Sequence, residues 1–81
     1  MMNDDILQKL ESIFKLFFKN DQIILKNDTV ADDIEYWDSL THIELINTIE
    51  KEFNITFTFN EVMSFETVSE MVNCIQNHLQ G

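Results

Sequence analysis

Apolar residues recur at helical spacing in three separate stretches of this sequence, and this periodicity constrains the fold more than any other feature. The first stretch predicts a helix from Asp4 to about Lys19, with Asn3 as its cap. Its apolar face contains Ile6, Leu10, Ile13, Phe14 and Phe17. Such a helix is stable only if it packs this face against other elements, so a bundle is expected.

The second stretch predicts a helix with two apolar faces. Asp38 is expected to cap it, and it runs from Ser39 to about Phe53. The core face consists of Leu45, Ile46, Ile49 and Phe53. Leu40 and Ile43 lie on a different side, and Asn47 lies with them. From spacing alone, the simpler account of Leu40 and Ile43 is a wide buried stripe or scattered surface residues.

The third stretch forms the end of the chain and follows a short helix. Asn60 is expected to cap the short helix, which ends at Ser64 or Phe65. Thr67 and Glu70 have capping-box spacing at the start of the last helix. The apolar face of the last helix contains Val68, Met71, Val72, Ile75 and Leu79. The predicted fold class is all-α, a four-helix bundle with three longer helices and a short third helix.

Two connecting segments lack helical periodicity. Residues 20–37 contain several Asn and Asp turn residues and are interpreted as a long loop between helices I and II. Apolar residues of the loop are expected to pin it to the core, namely Ile23, Leu25, Val30 and Ile34. Residues 55–59 alternate like a strand but have no convincing partner strand, so they are interpreted as an extended connector with Ile55 and Phe57 directed inward.

Charge and length limit the classes of function. The chain has 15 acidic residues against 5 lysines and a net charge of −10, which argues against nucleic acid and anionic membranes as partners. Its 81 residues fit one domain, 1–81, without a deep enzyme pocket. We find no export signal and no apolar segment approaching the roughly 20 residues of a membrane span, and Cys74 cannot form an internal disulfide. A cytoplasmic protein without membrane insertion is expected.

The segment Asp38-Ser39-Leu40 places a hydroxyl at the start of a helix. A phosphodiester on Ser39 would lie near free backbone amides and the positive end of the helix dipole, which favours an anion. A serine in this position is nevertheless more often a helix cap than a modified residue. Helix capping and local electrostatics, taken alone, therefore favour Ser39 as a cap over Ser39 as a modified residue.

The stretch DSLTHIELI at residues 38–46, followed by IEKEFNI at residues 49–55, resembles the acyl and peptidyl carrier protein family. In that family, Asp-Ser-Leu precedes an apolar residue, a glutamate and two apolar residues, and an acidic segment ending in phenylalanine follows. The match is ungapped and continues more weakly in both directions, so the resemblance covers nearly the whole chain.

The resemblance implies that Ser39 takes up a 4'-phosphopantetheine group from coenzyme A through a separate phosphopantetheinyl transferase, and that Asp38 and Leu40 belong to the same cofactor-binding site. The thiol of this arm would carry an acyl group as a thioester, and the protein itself would catalyse nothing. The residues implied in binding acyl-loading and acyl-transferring enzymes, through basic patches on those partners, are Leu40, Ile43, Glu44, Asn47 and Glu50.

The residues before Asp38 depart from the family pattern. Carriers of primary fatty-acid synthesis usually have a glycine and a small residue there, whereas this chain has Tyr36 and Trp37. Together with His42 and Asn47, this departure looks more like a free-standing carrier dedicated to one specialised pathway. The sequence leaves open whether the pathway is fatty-acid-related or specialised, and whether the cargo is acyl or aminoacyl.

Other interpretations have less support from the residues. In an enzyme, Ser39 would be the nucleophile and His42 its base, but the sequence shows no third catalytic group and no glycine-rich oxyanion turn. No catalytic residue is therefore assigned, and His42 is expected to be a solvated surface histidine. Cys74 and His78 are only two ligands, so no metal site is expected. An acidic helical interaction module without a prosthetic arm fits the net charge equally well and stays open.

Overall fold

The computed structural model describes residues 3–80, and in this range the chain forms four α-helices and no strand. The helices are α1 (Asn3–Phe17), α2 (Ser39–Phe53), α3 (Phe59–Ser64) and α4 (Val68–Gln80). A long loop joins α1 to α2 and contains a single turn of 3-10 helix, Ala31–Asp33. The predicted all-α bundle with a short third helix and a long first loop is therefore confirmed.

Helices α1 and α2 are each followed, within two residues, by a non-glycine residue that adopts a left-handed backbone. Lys19 has φ 54° and Asn54 has φ 56°. After α1, the Asn20 N–H donates to the Lys15 carbonyl at 3.0 Å, and after α2 the Ile55 N–H donates to the Glu50 carbonyl at 3.1 Å. These bonds satisfy carbonyl groups that a helix end leaves free. The left-handed turn at Lys19 also explains why α1 ends at Phe17, before the predicted boundary.

The caps of two helices differ from the sequence prediction. Asn3 lies inside α1 as its first residue rather than before it, and the preceding position lies outside the described residues. Thr58, not Asn60, caps α3, because the Thr58 hydroxyl accepts the Glu61 N–H at 3.1 Å and a Glu61 carboxylate oxygen accepts the Thr58 N–H at 2.8 Å. This capping box was readable from the spacing of Thr58 and Glu61.

The hydrophobic core combines the three longer helices with the loop and the connector. The predicted core residues of α2 are all buried, as is Phe57 of the connector, while Ile55 is partly buried. Of the residues expected to pin the loop, Ile23, Leu25 and Ile34 are buried and Val30 is half-buried. Leu79 was predicted to join the core face of α4 but is 39% exposed, because it lies in the last turn of the helix.

The long loop is also fixed to α4 by backbone hydrogen bonds. The Val68 N–H donates to the Thr29 carbonyl and the Ser69 N–H to the Asn27 carbonyl, both at 2.9 Å. Thr29 is buried, and its hydroxyl accepts the Lys26 N–H at 2.9 Å. The loop carbonyls thereby satisfy free amides at the start of α4. Within residues 3–80, none of the helices has the length and apolar content that crossing a membrane requires.

Candidate attachment and docking site

Asp38 caps α2 with its side chain, as predicted. One Asp38 carboxylate oxygen accepts the N–H groups of Leu40 at 3.0 Å and Thr41 at 2.9 Å, and the Thr41 hydroxyl accepts the Asp38 N–H at 2.9 Å. The Thr41 amide is the main cause that holds the pKa of the Asp38 carboxyl below its ordinary value. Desolvation, the next largest effect, opposes this, and the Leu40 amide and the Thr41 hydroxyl lower the pKa further. Because Asp38 supplies the cap, the Ser39 hydroxyl is not needed for that role.

Ser39 is the first residue of α2, and its side chain is exposed. The expectation that a phosphodiester here would lie near free backbone amides needs a correction, since the Leu40 and Thr41 amides already donate to Asp38. The positive end of the α2 dipole still favours an anion at this position. Ser39 therefore offers an accessible hydroxyl at a helix start, but not a ready-made phosphate cradle.

His42 links α2 to α3, so the prediction of a solvated surface histidine is wrong. The Trp37 indole N–H donates to His42 Nδ1 at 3.1 Å, and His42 Nε2 lies 3.0 Å from the Val62 carbonyl oxygen. With Nδ1 accepting, the proton is on Nε2, which donates to Val62. The Trp37 and His42 rings also stack, with centroids 6.0 Å apart. Both imidazole nitrogens are thus engaged, and neither serves as a base for Ser39.

A groove of about 600 Å³ lies beside Ser39, between α2, α3 and the end of the long loop. Its apolar and aromatic lining consists of Ala31, Trp37, His42, Ile43, Phe59, Val62, Met63 and Phe65, and its polar lining of Asp32, Asp38, Ser39 and Glu66. A second hollow of about 540 Å³ lies in the long loop, but Ser39 is not part of it. The two hollows have similar volumes, so we take the first as the candidate ligand groove because Ser39 lines it.

The side of α2 opposite the core carries an exposed surface. Leu40 is 73% and Ile43 45% exposed, and Glu44 and Asn47 are exposed beside them. The interpretation of Leu40 and Ile43 as part of a wide buried stripe is therefore wrong. We call Leu40, Ile43, Glu44 and Asn47 the α2 surface.

Helix α3 extends the exposed apolar area with two residues that sequence reasoning did not single out. Phe59 is 75% and Met63 61% exposed. Phe59 was missed because the alternation of residues 55–59 placed it in the connector, whereas it begins α3. Thr58 at the cap position was the available signal.

Glu50 has a structural task in addition to its predicted place among the partner-binding residues. It is half-buried, and one of its carboxylate oxygens accepts the Phe57 N–H at 2.7 Å. This bond holds the connector against α2. Glu50 therefore lies at the edge of the α2 surface with part of its hydrogen-bonding capacity already used.

An accessible serine, an acidic exposed helix and an adjoining apolar groove on a small bundle define a carrier type of domain. The comparisons with known proteins agree. A family profile described as "Phosphopantetheine attachment site" matches residues 6–75. The chain is 33% identical to the acyl carrier protein of Borreliella burgdorferi (strain ZS7) over 81 residues, covering 94% of this chain and 95% of that protein. It is 37% identical to the acyl carrier protein of Borrelia garinii subsp. bavariensis over 78 residues, with the same coverage.

A solved structure matches as well. The solution structure of holo acyl carrier protein from Geobacter metallireducens superimposes with a TM-score of 0.85 at 34% identity, covering 91% of this chain and 85% of that one. The chain therefore belongs to the acyl carrier protein family, and its prosthetic group is phosphopantetheine.

Proposed function

We propose that this chain carries an acyl group on a 4'-phosphopantetheine arm attached to the Ser39 hydroxyl. The observation that carries the proposal is the position of Ser39, which is exposed at the first residue of α2 and lines the groove. Asp38 makes the capping bonds, so modification of Ser39 leaves the helix start intact. When attached, the arm supplies a thiol that holds the cargo as a thioester.

The groove gives an apolar cargo a place next to its point of attachment. Trp37, Val62 and Phe65 belong to its lining, and His42 ties the α2 side of the groove to the α3 side. Burying apolar surface in such a groove is favourable by about 25 cal/mol per Å². The residues of this chain thus position the cargo, while the chemistry belongs to other enzymes.

The α2 surface is proposed to dock those enzymes. Leu40 and Ile43 provide apolar contact, and Glu44 and Asn47 provide polar contact at the same exposed side. A net charge of −10 favours partners with basic patches, and electrostatic steering gives fast and reversible encounters. The expected partners are the phosphopantetheinyl transferase and the acyl-loading and acyl-transferring enzymes, with Glu50 at the edge of their contact.

The proposal extends to a single acyl-carrier domain of residues 1–81 that works in the cytoplasm without catalysing a reaction. Its pathway is fatty-acid-related or specialised. Of the two aromatic residues that distinguish the chain before Asp38, Trp37 is buried and Tyr36 is 72% exposed. Tyr36 is therefore the residue that changes the surface presented to partners, which supports a carrier with its own dedicated enzymes.

The test is the intact mass of the purified protein after incubation with coenzyme A and a broad-specificity phosphopantetheinyl transferase. We expect a gain of one phosphopantetheine group that is absent from Ser39→Ala and present in Ser12→Ala, a matched change at an exposed serine of α1. Circular dichroism checks that Ser39→Ala remains folded. No gain, under conditions that load a control carrier, would leave an acidic helical interaction module as the better description.

A further inference from the structure

Three side chains with different metal-binding groups converge between α3 and α4. Cys74 and His78 lie four residues apart on α4, and Glu61 of α3 reaches both. Cys74 Sγ is 3.1 Å from one Glu61 carboxylate oxygen, Oε2. His78 Nε2 is 3.2 Å from the same oxygen and 3.0 Å from the other, Oε1. One donor atom from each residue lies within 4.8 Å of the other two. None of these residues takes part in the attachment site.

The orientation of Glu61 makes this arrangement more than a chance meeting of polar groups. Its other carboxylate oxygen, Oε1, accepts the Thr58 N–H at 2.8 Å as part of the α3 capping box. This bond fixes the carboxylate plane, so that Oε2 faces Cys74 and the His78 Nε2 atom lies between the two carboxylate oxygens. Outer hydrogen bonds of this kind are what orient the ligands of metal sites.

Thiolate, imidazole and carboxylate are the groups that bind zinc in proteins, with bonds of about 2.0–2.3 Å. A tetrahedral ion with such bonds requires about 3.3–3.6 Å between neighbouring ligand atoms. The separations of 3.1 and 3.2 Å from Glu61 Oε2 are close to that range, and Cys74 Sγ and His78 Nε2 lie within 4.8 Å of each other. We propose that Glu61, Cys74 and His78 bind one Zn²⁺ ion, with water at the fourth position.

Binding replaces the hydrogen bonds that now join the three groups. The Cys74 thiol loses its proton to solvent as the zinc–sulfur bond forms, and the His78 proton moves to Nδ1 so that the Nε2 lone pair binds the ion. The Phe57 ring, 5.5 Å from the His78 ring, covers part of this side chain. The ion would link α3, a helix of six residues, directly to α4.

Cobalt is the probe that tests the site, because Co²⁺ with a thiolate ligand gives a near-ultraviolet charge-transfer band. The intact protein, reduced and freed of metal, is titrated with Co²⁺ and then with Zn²⁺. We expect one equivalent of Co²⁺ to produce the band and one equivalent of Zn²⁺ to abolish it. We expect Cys74→Ser to lack the band, and His78→Gln to weaken Co²⁺ binding by at least about tenfold.

Two controls make the result decisive. Glu70→Gln removes an exposed carboxylate of α4, and we expect it to leave the band unchanged, which separates the site from general cation binding by an acidic surface. Ser39→Ala removes the attachment point of the arm and therefore the arm's own thiol. A band that disappears in Ser39→Ala, a band unchanged in His78→Gln, or no band at all would overturn the proposal. Circular dichroism confirms that each variant is folded.

Discussion

Tyr36 has a left-handed backbone, with φ 72°, which is strained for a residue other than glycine. This conformation costs a residue with a Cβ roughly 1–2 kcal/mol, and glycine avoids the cost. Tyr36 is largely exposed, so its side chain contributes little packing. We predict that Tyr36→Gly raises the free energy of unfolding by about 0.5–1 kcal/mol in urea titrations, after allowance for the extra freedom of glycine in the unfolded chain.

Glu35→Gly is the matched control for this prediction, because Glu35 is exposed, adjacent and does not have positive φ. It is expected to lower the stability, since glycine here adds freedom to the unfolded chain without relieving any strain. A loss of stability in both variants would show that Tyr36 is not strained.

His42 gives a second prediction for a single residue. Replacing it with alanine leaves the Trp37 indole N–H and the Val62 carbonyl without their partner. An unpaired buried polar group costs about 1–3 kcal/mol, so His42→Ala is expected to lose at least that much stability in urea titrations. Asn47→Ala, at an exposed position of the same helix, is expected to stay within about 0.5 kcal/mol of the parent. An equally small effect at His42 would mean that the link between α2 and α3 contributes nothing.

The contrast between His42 and Asp38 shows what sequence reasoning could reach. The bonds of Asp38 run to amides two and three residues ahead, so the sequence alone predicts them. The partners of His42 are an indole that precedes the helix and a carbonyl 20 residues away, and only the packing of α3 on α2 brings them together.

At the scale of elements, titration of the Glu61 carboxyl in the capping box of α3 is expected to change the stability of the fold measurably. The Thr58 N–H, then the Cys74 thiol and His78, lower the pKa of the Glu61 carboxyl from 4.5 to about 2. A pKa that is lower in the folded state gives stability that is complete above the unfolded value of 4.5 and is lost as the pH falls from there towards about 2. Glu61→Gln is expected to remove this part of the acid-induced loss of stability.

Urea titrations across that pH range, with a chelator present to exclude metal, measure the effect. Glu66→Gln is the control, since this residue is exposed and does not belong to the capping box. The prediction is contradicted if the parent and Glu61→Gln lose stability in parallel.

The same elements mark the limit of prediction from sequence. Periodicity located α1, α2 and α4 because their buried residues follow helical spacing. It could not show that Glu61 meets Cys74 and His78, which are 13 and 17 residues further along the chain. Counting two ligands on α4 therefore led to the expectation of no metal site. A side chain that a neighbouring helix adds to such a pair becomes visible only when the helices are packed.

For the whole molecule, the proposed division of α2 into a core side and a docking side can be tested by substituting one residue on each side. Ile46 is buried and Ile43 is 45% exposed, although they lie three residues apart. We predict that Ile46→Ala loses about 2–5 kcal/mol of stability. Ile43→Ala is expected to lose much less while slowing modification of Ser39 by the transferase. Similar losses of stability in both variants would place Ile43 in the core.

Charge supplies the last prediction, because an acidic molecule attracts basic partners both through its net charge and through particular carboxylates. Glu44→Lys and Glu70→Lys change the net charge equally, but Glu44 belongs to the α2 surface and Glu70 is exposed on α4. We expect Glu44→Lys to lower kcat/KM for modification of Ser39 by about tenfold at low salt, with a smaller effect at high salt, because a charge near the contact controls the encounter rate. Glu70→Lys is expected to have little effect. Equal losses in the two variants would show that the overall charge, rather than the α2 surface, guides the transferase to Ser39.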